Sequence, residues 1–99
     1  MSNIINELYA VINDRKLNTS TDSYTSYLFT KGKDKILKKM GEEPIEVIIA
    51  AKGEDKNEQV EEFSDLIYHM LVLMNELDIS VDDMSKSLEK RRSKIGNVI

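Results

Sequence analysis

The sequence predicts an all-α fold of four to five helices, forming a helical bundle that is completed by dimerisation. Apolar residues recur at three- and four-residue spacing along most of the chain, which is the period of an amphipathic helix. One proline and four glycines are too few for the many turns of an all-β protein, and no segment reads as a convincing strand. A length of 99 residues fits a single domain, 1–99.

The first helix is predicted over residues 3–15, and a short second helix over 22–31, which ends at Gly32. The third is predicted over 33–52. Because proline cannot donate a backbone hydrogen bond, we expect a kink or a restart of the third helix at Pro44. The apolar face of this helix, directed away from its acidic residues, comprises Ile36, Leu37, Met40, Val47, Ile48 and Ala51.

The fourth and fifth helices each begin with a capping signal, in which one acidic or hydroxyl side chain precedes a second polar one by three positions. The predicted bounds and capping pairs are 56–77 with Asp55 and Glu58, and 80–92 with Ser80 and Asp83.

Residues 66–74 of the fourth helix are apolar on nearly every side, which indicates burial on several sides. So short a chain has few helices to cover this segment, and we therefore expect a second copy to cover it in a homodimer. The main apolar stripe comprises Val60, Phe63, Ile67, Met70, Met74 and Leu77.

Composition excludes several classes of protein. The chain has no cysteine, which excludes a disulfide framework and a thiolate metal site. A net charge of −4 argues against a general nucleic-acid binder. No basic segment followed by an apolar run marks a signal peptide at the N-terminus, and the longest apolar stretch, 70–74, is far too short to span a bilayer. We expect a cytoplasmic protein that binds neither nucleic acid nor membrane.

Two acidic clusters are the most informative feature of the chain. Residues three and four apart share one face of a helix, so each cluster lies on one face. Residues 53–57 predict a turn, and folding the helices back about residue 54 brings position 46 opposite 62 and position 43 opposite 65. Crowded carboxylates are costly unless a cation neutralises them, and Mg²⁺ prefers oxygen ligands. The predicted Mg²⁺ ligands are Glu42, Glu43, Glu46, Glu62 and Asp65.

Charged helix faces are more often merely solvated, but two observations favour a metal site. Glu42 and Glu46 are like charges at i, i+4, a spacing that destabilises a bare helix. Asp65 borders an apolar segment, where an unpaired carboxylate is expensive. His69, one turn after Asp65, is typical of a core residue and less so of a ligand.

Five lysines lie within nine positions just before the first acidic cluster. They are interpreted either as a phosphate clamp beside the metal or as a row of ion pairs, Lys38 with Glu42 and Lys39 with Glu43. The five are Lys31, Lys33, Lys35, Lys38 and Lys39.

Several segments, taken in order over residues 4–92, resemble the phosphoribosyl-ATP pyrophosphohydrolase family. The acidic clusters alone resemble the broader all-α, MazG-like nucleoside-triphosphate pyrophosphohydrolases, and the other segments narrow the resemblance. These segments are Ser23-Tyr24-Thr25, Leu28-Phe29-x-Lys31-Gly32, Lys35-Ile36-x-Lys38-Lys39-x-Gly41-Glu42-Glu43, Glu46 with Ala50-Ala51-Lys52, and Glu62-x-x-Asp65-Leu66-x-Tyr68-His69. The chain departs from the pattern at Pro44 and at Phe63-Ser64, where small alanines are more usual.

The resemblance implies Mg²⁺-dependent hydrolysis of phosphoribosyl-ATP between its α and β phosphates, as the second step of histidine biosynthesis. It also implies a dimer and, for a chain of this length, the free-standing form and not a fusion with the next enzyme. Glu43 and Glu46 are then the candidates for the catalytic base. The substrate-binding residues implied are Ser23, Tyr24, Thr25, Lys31, Lys38, Lys39 and Lys52.

Two alternatives remain. The nearest is a MazG-like house-cleaning enzyme that hydrolyses ordinary or modified nucleoside triphosphates. The other, of a different class, is a non-enzymatic helical adaptor that dimerises through its fourth helix and binds a protein partner with its charged face. Activity on phosphoribosyl-ATP separates the first from our prediction, and a thermal response to magnesium separates the second.

Overall fold

The computed structural model describes the backbone of residues 2–98 and the side chains of residues 4–94. Within that range every regular element is a helix, which confirms the all-α prediction. The helices are α1 (Ser2–Leu17), α2 (Tyr24–Lys31), α3 (Lys33–Lys52), α4 (Lys56–Glu76) and α5 (Val81–Val98). None of them, within the described residues, combines the length and the apolar character needed to cross a membrane.

Local signals account for most helix ends. Ser23, where a helical residue was predicted, instead caps α2 by accepting a hydrogen bond from the Ser26 amide. Gly32 separates α2 from α3 with φ 99°, a conformation that favours glycine. Ser80 and Asp83 form the predicted capping box: the Ser80 amide donates to the Asp83 carboxylate at 2.9 Å, and the Asp83 amide donates to the Ser80 hydroxyl at 3.0 Å.

Of the kink or restart expected at Pro44, the restart does not occur, since α3 is a single helix with Pro44 inside it. Proline at this position removes one intrahelical hydrogen bond. The packing of α3 along α4, the most extensive helix pair of the fold, compensates for that loss. The fifth helix also extends beyond the predicted end at Arg92, to Val98.

The core lies where α1, α2 and α3 meet the second half of α4. The buried apolar side chains that form it are Ile12, Leu28, Ile36, Leu71, Val72 and Met74. Half-buried residues that pack against the core are Ile5, Leu8, Tyr9, Phe29, Tyr68, Leu73, Val81 and Met84.

Much of the predicted apolar surface of α3 and α4 is exposed in the single chain. On α3, Leu37 and Ile48 are exposed, and Ala50 is buried in place of Ala51. On α4 most of the predicted stripe is exposed, although its member Met74 is buried. The core instead takes up the neighbouring face of α4, because that is the face that α1, α2 and α3 reach. The exposed members of the α4 stripe are Val60, Phe63, Ile67, Met70 and Leu77.

Candidate active site

The turn between α3 and α4 fixes the register of the two helices. Asp55 caps α4, since its carboxylate accepts hydrogen bonds from the amides of Asn57 at 3.0 Å and Glu58 at 3.3 Å. The side-chain amide of Gln59 donates to the carbonyl oxygens of Ala50 at 3.2 Å and Gly53 at 3.0 Å. These bonds satisfy orphan groups at the end of α3 and the start of α4, and they hold the hairpin in the geometry that the sequence predicted.

This hairpin brings acidic side chains of α3 and α4 together. One carboxylate oxygen from each of Glu43, Glu62 and Asp65 lies within 4.8 Å of the other two. Glu43 is only 7% exposed, so its charge is largely cut off from solvent. All five predicted carboxylates border one open cleft of about 530 Å³, which we call the acidic cleft. Its lining residues are Lys39, Glu42, Glu43, Ile45, Glu46, Glu62 and Asp65.

Among the described side chains that line the acidic cleft, Lys39 is the one that carries a positive charge. Its ammonium lies 3.5 Å from a carboxylate oxygen of Glu42 and 3.5 Å from one of Glu43. Partial burial lowers the pKa of Lys39, but Tyr24, Glu43 and Glu42 together outweigh burial and leave that pKa raised. Lys39 therefore stays charged, and one ammonium faces several carboxylates.

The pKa of Glu62 reflects desolvation and the repulsion that remains between the carboxylates. Desolvation is the first cause that raises the pKa of its carboxyl, and the neighbouring charges of Glu46, Asp65 and Glu43 raise it further. A group that is disfavoured as an anion by its surroundings is stabilised when a cation enters. A cation bound in the acidic cleft would therefore offset the repulsion that acts on Glu62.

The Ser-Tyr-Thr segment lies at the start of α2 and reaches α4 through side chains. The Tyr24 hydroxyl lies 3.3 Å from Nε2 of His69, and the Thr25 hydroxyl lies 2.5 Å from the Tyr68 hydroxyl. The Ser23 hydroxyl accepts the Ser26 amide at 3.1 Å. Burial raises the pKa of Tyr24, and the nearby charges of Lys39, which lowers this pKa, and Glu43, which raises it, also contribute.

The other lysines predicted to bind substrate do not line the acidic cleft. The Lys31 ammonium lies 5.8 Å from the ring centroid of Tyr27. Lys38 and Lys52 are exposed on α3. The structure therefore distinguishes Lys39, which contacts the carboxylates, from Lys31, Lys38 and Lys52, whose role as phosphate contacts stays a prediction.

His69 is more closely connected to this region than its interpretation as a core residue implied. It is buried, as predicted, but Nδ1 lies 2.8 Å from the Asp65 carbonyl oxygen and 3.8 Å from a Glu43 carboxylate oxygen. The position of His69 four residues after Asp65, on the same helix face, was the available signal. Its partner Tyr24 lies 45 residues away, and no local pattern indicates such a contact.

Comparison with known proteins assigns the chain to a family. Residues 5–92 match the model of the family described as phosphoribosyl-ATP pyrophosphohydrolase. The chain belongs to this family. A protein of Clostridium novyi named phosphoribosyl-ATP pyrophosphatase is 55% identical over 94 residues, which are 95% of this chain and 86% of the relative. A protein of Bacillus thuringiensis with the same name is 48% identical over 98 residues, or 99% of this chain and 92% of the relative.

A third relative places the same domain within a longer protein. The histidine biosynthesis bifunctional protein HisIE of Caldanaerobacter subterraneus is 54% identical over 91 residues. Those residues are 92% of this chain and 44% of that protein. The resemblance stated from the sequence motifs is thereby confirmed at the level of the family.

Proposed function

We propose that this protein hydrolyses phosphoribosyl-ATP between the α and β phosphates, giving phosphoribosyl-AMP and pyrophosphate in histidine biosynthesis, and that the reaction requires Mg²⁺. The observation that carries the proposal is the convergence of Glu43, Glu62 and Asp65 within 4.8 Å, in a chain that belongs to the pyrophosphohydrolase family. A hydrolase acting on a triphosphate needs a site that tolerates high negative charge, and a cation-filled acidic cleft is such a site.

The donor set suits Mg²⁺. The five acidic residues that line the acidic cleft offer carboxylate oxygens, and Mg²⁺ prefers oxygen ligands at 2.0–2.1 Å. Oxygens that share one Mg²⁺ lie about 3–4 Å from one another. Three oxygens within 4.8 Å would therefore need side-chain movements of about 1–2 Å, or one bridging water, to share an ion.

Each acidic residue then has a role that its position supports. Glu43, Glu62 and Asp65 would hold an ion directly, and Glu42 and Glu46, at the border of the same cleft, would complete or extend the set. When bound, Mg²⁺ neutralises phosphate charge and lowers the pKa of water. Glu43 and Glu46 are the candidates to accept the proton of the attacking water.

The cations and hydroxyls around the acidic cleft would orient the triphosphate. Lys39, already beside Glu42 and Glu43, is the lysine best placed to meet a phosphate oxygen. Lys38, Lys31 and Lys52 would serve a substrate that extends along α2 and α3. Ser23, Tyr24 and Thr25 would form the wall of the pocket at the start of α2.

A homodimer is part of the proposal. The exposed apolar side chains of α3 and α4 include Ile45, Ile48, Phe63 and Ile67, each between 37% and 61% exposed. A radius of gyration of 15.2 Å exceeds the value of about 13 Å typical of a compact domain of this size. A second copy would cover this surface by two-fold symmetry. A cytoplasmic location, with which the absence of cysteine is compatible, completes the proposal.

Product analysis tests the function. Phosphoribosyl-ATP, dCTP and ATP are incubated separately with the protein and Mg²⁺, and products are followed by ³¹P NMR. We expect pyrophosphate and phosphoribosyl-AMP from the first substrate, and loss of the reaction on chelation by EDTA. Preferential hydrolysis of dCTP or ATP would support a house-cleaning enzyme instead. Absence of any hydrolysis, together with no thermal response to Mg²⁺, would support an adaptor.

A further inference from the structure

His69 is a buried polar residue to which the proposed reaction assigns no role. It lies on α4, one helical turn after Asp65, and is 6% exposed. Both of its ring nitrogens have partners: Nδ1 lies 2.8 Å from the Asp65 carbonyl oxygen, and Nε2 lies 3.3 Å from the Tyr24 hydroxyl. A side chain with both nitrogens engaged has no atom left for a metal ion, so His69 acts through its partners.

The partners fix the proton positions. A carbonyl oxygen only accepts hydrogen bonds, so Nδ1 of His69 carries a proton and donates a hydrogen bond to the backbone carbonyl of Asp65. In the neutral ring Nε2 is then an acceptor, and the Tyr24 hydroxyl is the donor that reaches it. The Glu43 carboxylate lies 3.8 Å from Nδ1, beyond hydrogen-bond distance.

These side chains connect α2 to α4. The backbone of α2 packs against α1 and α3, whereas side chains make its connection to α4. Two hydrogen bonds contribute to this connection: one joins Tyr24 to His69, and the other joins Thr25 to Tyr68. The rings of Tyr68 and His69 meet edge to face with centroids 4.8 Å apart, which restricts the imidazole further. The Tyr24 ring also contacts the rings of Tyr27 and Tyr68, and His69 holds the Tyr24 hydroxyl beside the acidic cleft.

We propose that His69 is a positioning residue that holds Tyr24 in the orientation in which it binds the nucleotide, an inference that rests on the proposed function. When the Tyr24 hydroxyl donates to a neutral His69 ring, the Tyr24 oxygen is free to accept a hydrogen bond from the nucleotide, from a sugar hydroxyl or a base N–H.

Two substitutions of His69 separate its two hydrogen bonds. The side-chain amide of glutamine places an acceptor near the position of Nε2 and keeps the bond from Tyr24. Asparagine is shorter; its amide donor replaces Nδ1, and the bond to Tyr24 is lost. We expect His69→Asn and Tyr24→Phe each to raise the KM for phosphoribosyl-ATP about tenfold, with kcat within about threefold of the parent, as fits one lost hydrogen bond. His69→Gln should keep KM within about threefold.

The double variant and a matched control complete the test. If His69 acts through Tyr24, then His69→Asn combined with Tyr24→Phe should have the KM of either single variant. Asn75→Ala is the control, because Asn75 is also buried on α4 but bonds to Asn13, outside the acidic cleft. It should lower Tm without changing KM. Equal KM values for His69→Gln and His69→Asn, or a double variant that multiplies the two single effects, would overturn the proposal.

Unfolding gives a readout that needs no turnover. Tyr24→Phe should lower Tm by about 4–8 °C in the parent, as expected for one net hydrogen bond in a domain of this size, and by much less in the His69→Asn background. A parent that does not hydrolyse phosphoribosyl-ATP would refute the proposed function alone. The Tm changes of Tyr24→Phe in the two backgrounds would still show whether His69 and Tyr24 interact. Equal Tm losses in the two backgrounds would refute the positioning role.

Discussion

The two faces of α4 differ in what they lack. One face carries Glu62, Asp65 and His69 and meets α3 at the acidic cleft, where carboxylates exceed cations. The other carries Ile67 and Met70, each 37% exposed, in an apolar groove with residues of α1 and α5. Crowded negative charges destabilise the first face, and exposed apolar area destabilises the second.

Each of these two faces therefore lacks a different component. Charge crowding is relieved by a small cation, and the groups that would bind it all come from one chain. Exposed apolar area is relieved only by another large surface, which a second copy can supply.

The largest effect is expected from removing one charge at the acidic cleft. Asp65→Asn keeps the shape of the side chain but weakens a metal ligand, so turnover with Mg²⁺ should fall by about a hundredfold or more. Without metal, Tm should stay level or rise by about 2–4 °C, because a like-charge contact is relieved. Steady-state kinetics and thermal melts measure the two quantities. Glu46→Gln should behave in the same way.

Glu61→Gln is the matched control for Asp65→Asn. Glu61 is an exposed carboxylate on α4 beside Glu62, and it does not line the acidic cleft. Its substitution should leave both turnover and Tm near the parental values. Parental activity in Asp65→Asn and Glu46→Gln would mean that the cluster is a solvated acidic surface.

The apolar face gives the next effect. Met70→Glu places a charge in the expected interface, and the dimer dissociation constant should rise about thirtyfold or more. Light scattering at micromolar protein concentration should report a dimer for the parent and a smaller mass for the variant. Leu17→Glu is the control, since Leu17 is 71% exposed at the end of α1. A parent that is monomeric at this concentration would contradict the assignment of a second copy.

Removal of the lysine beside the acidic cleft should have a moderate effect. Lys39→Ala loses the ammonium that contacts Glu42 and Glu43, and KM should rise about tenfold, because a phosphate oxygen loses a charged partner. Metal affinity should stay level or increase. Lys38→Ala should have a smaller effect, since Lys38 lies outside the lining of the acidic cleft. The control is Lys86→Ala, because the Lys86 ammonium pairs with Asp82 on α5. Equal KM values for Lys39→Ala and Lys86→Ala would exclude a role for Lys39.

The smallest effect concerns the titration of Glu62. Desolvation and the charges of Glu46, Asp65 and Glu43 raise its pKa in the folded protein. A raised carboxyl pKa means that the folded state binds more protons than the unfolded state between the two pKa values, so metal-free stability falls as pH rises through that window. Carboxyl ¹³C NMR should show this pKa falling when Mg²⁺ is added. A pKa indifferent to Mg²⁺ would place the ion elsewhere.

The acidic site was predictable because its register depends on local signals. Helical spacing groups the carboxylates, and the Gly53 and Asp55 turn determines which positions face each other across the hairpin. Whether Mg²⁺ binds there stays a prediction. The contact of Tyr24 with His69 was not predictable, since it depends on how α2 lies against α4, and that packing is set by residues far apart in the chain.

The apolar stripe of α4 shows a second limit of sequence patterns. Periodicity identified Phe63, Ile67 and Met70 as an apolar face, but a pattern does not say whether the same chain covers that face. In this structure Leu71, Val72 and His69 take the interior positions, and the stripe stays exposed. Between residues 66 and 74 the helix is apolar on nearly every side, so hydrophobicity alone could not rank its faces there.

The most direct test of the central claim, that the acidic cleft is the metal site, is localisation of the ion. Mn²⁺, which takes the same oxygen ligands as Mg²⁺, broadens NMR signals of nearby nuclei. Titrated into the isotope-labelled protein, it should selectively broaden the amide signals around Glu43, Glu62 and Asp65. Excess Mg²⁺ should restore those signals, and Asp65→Asn should require much more Mn²⁺ for the same broadening. Broadening centred elsewhere on the chain, or broadening that Asp65→Asn leaves unchanged, would contradict the account.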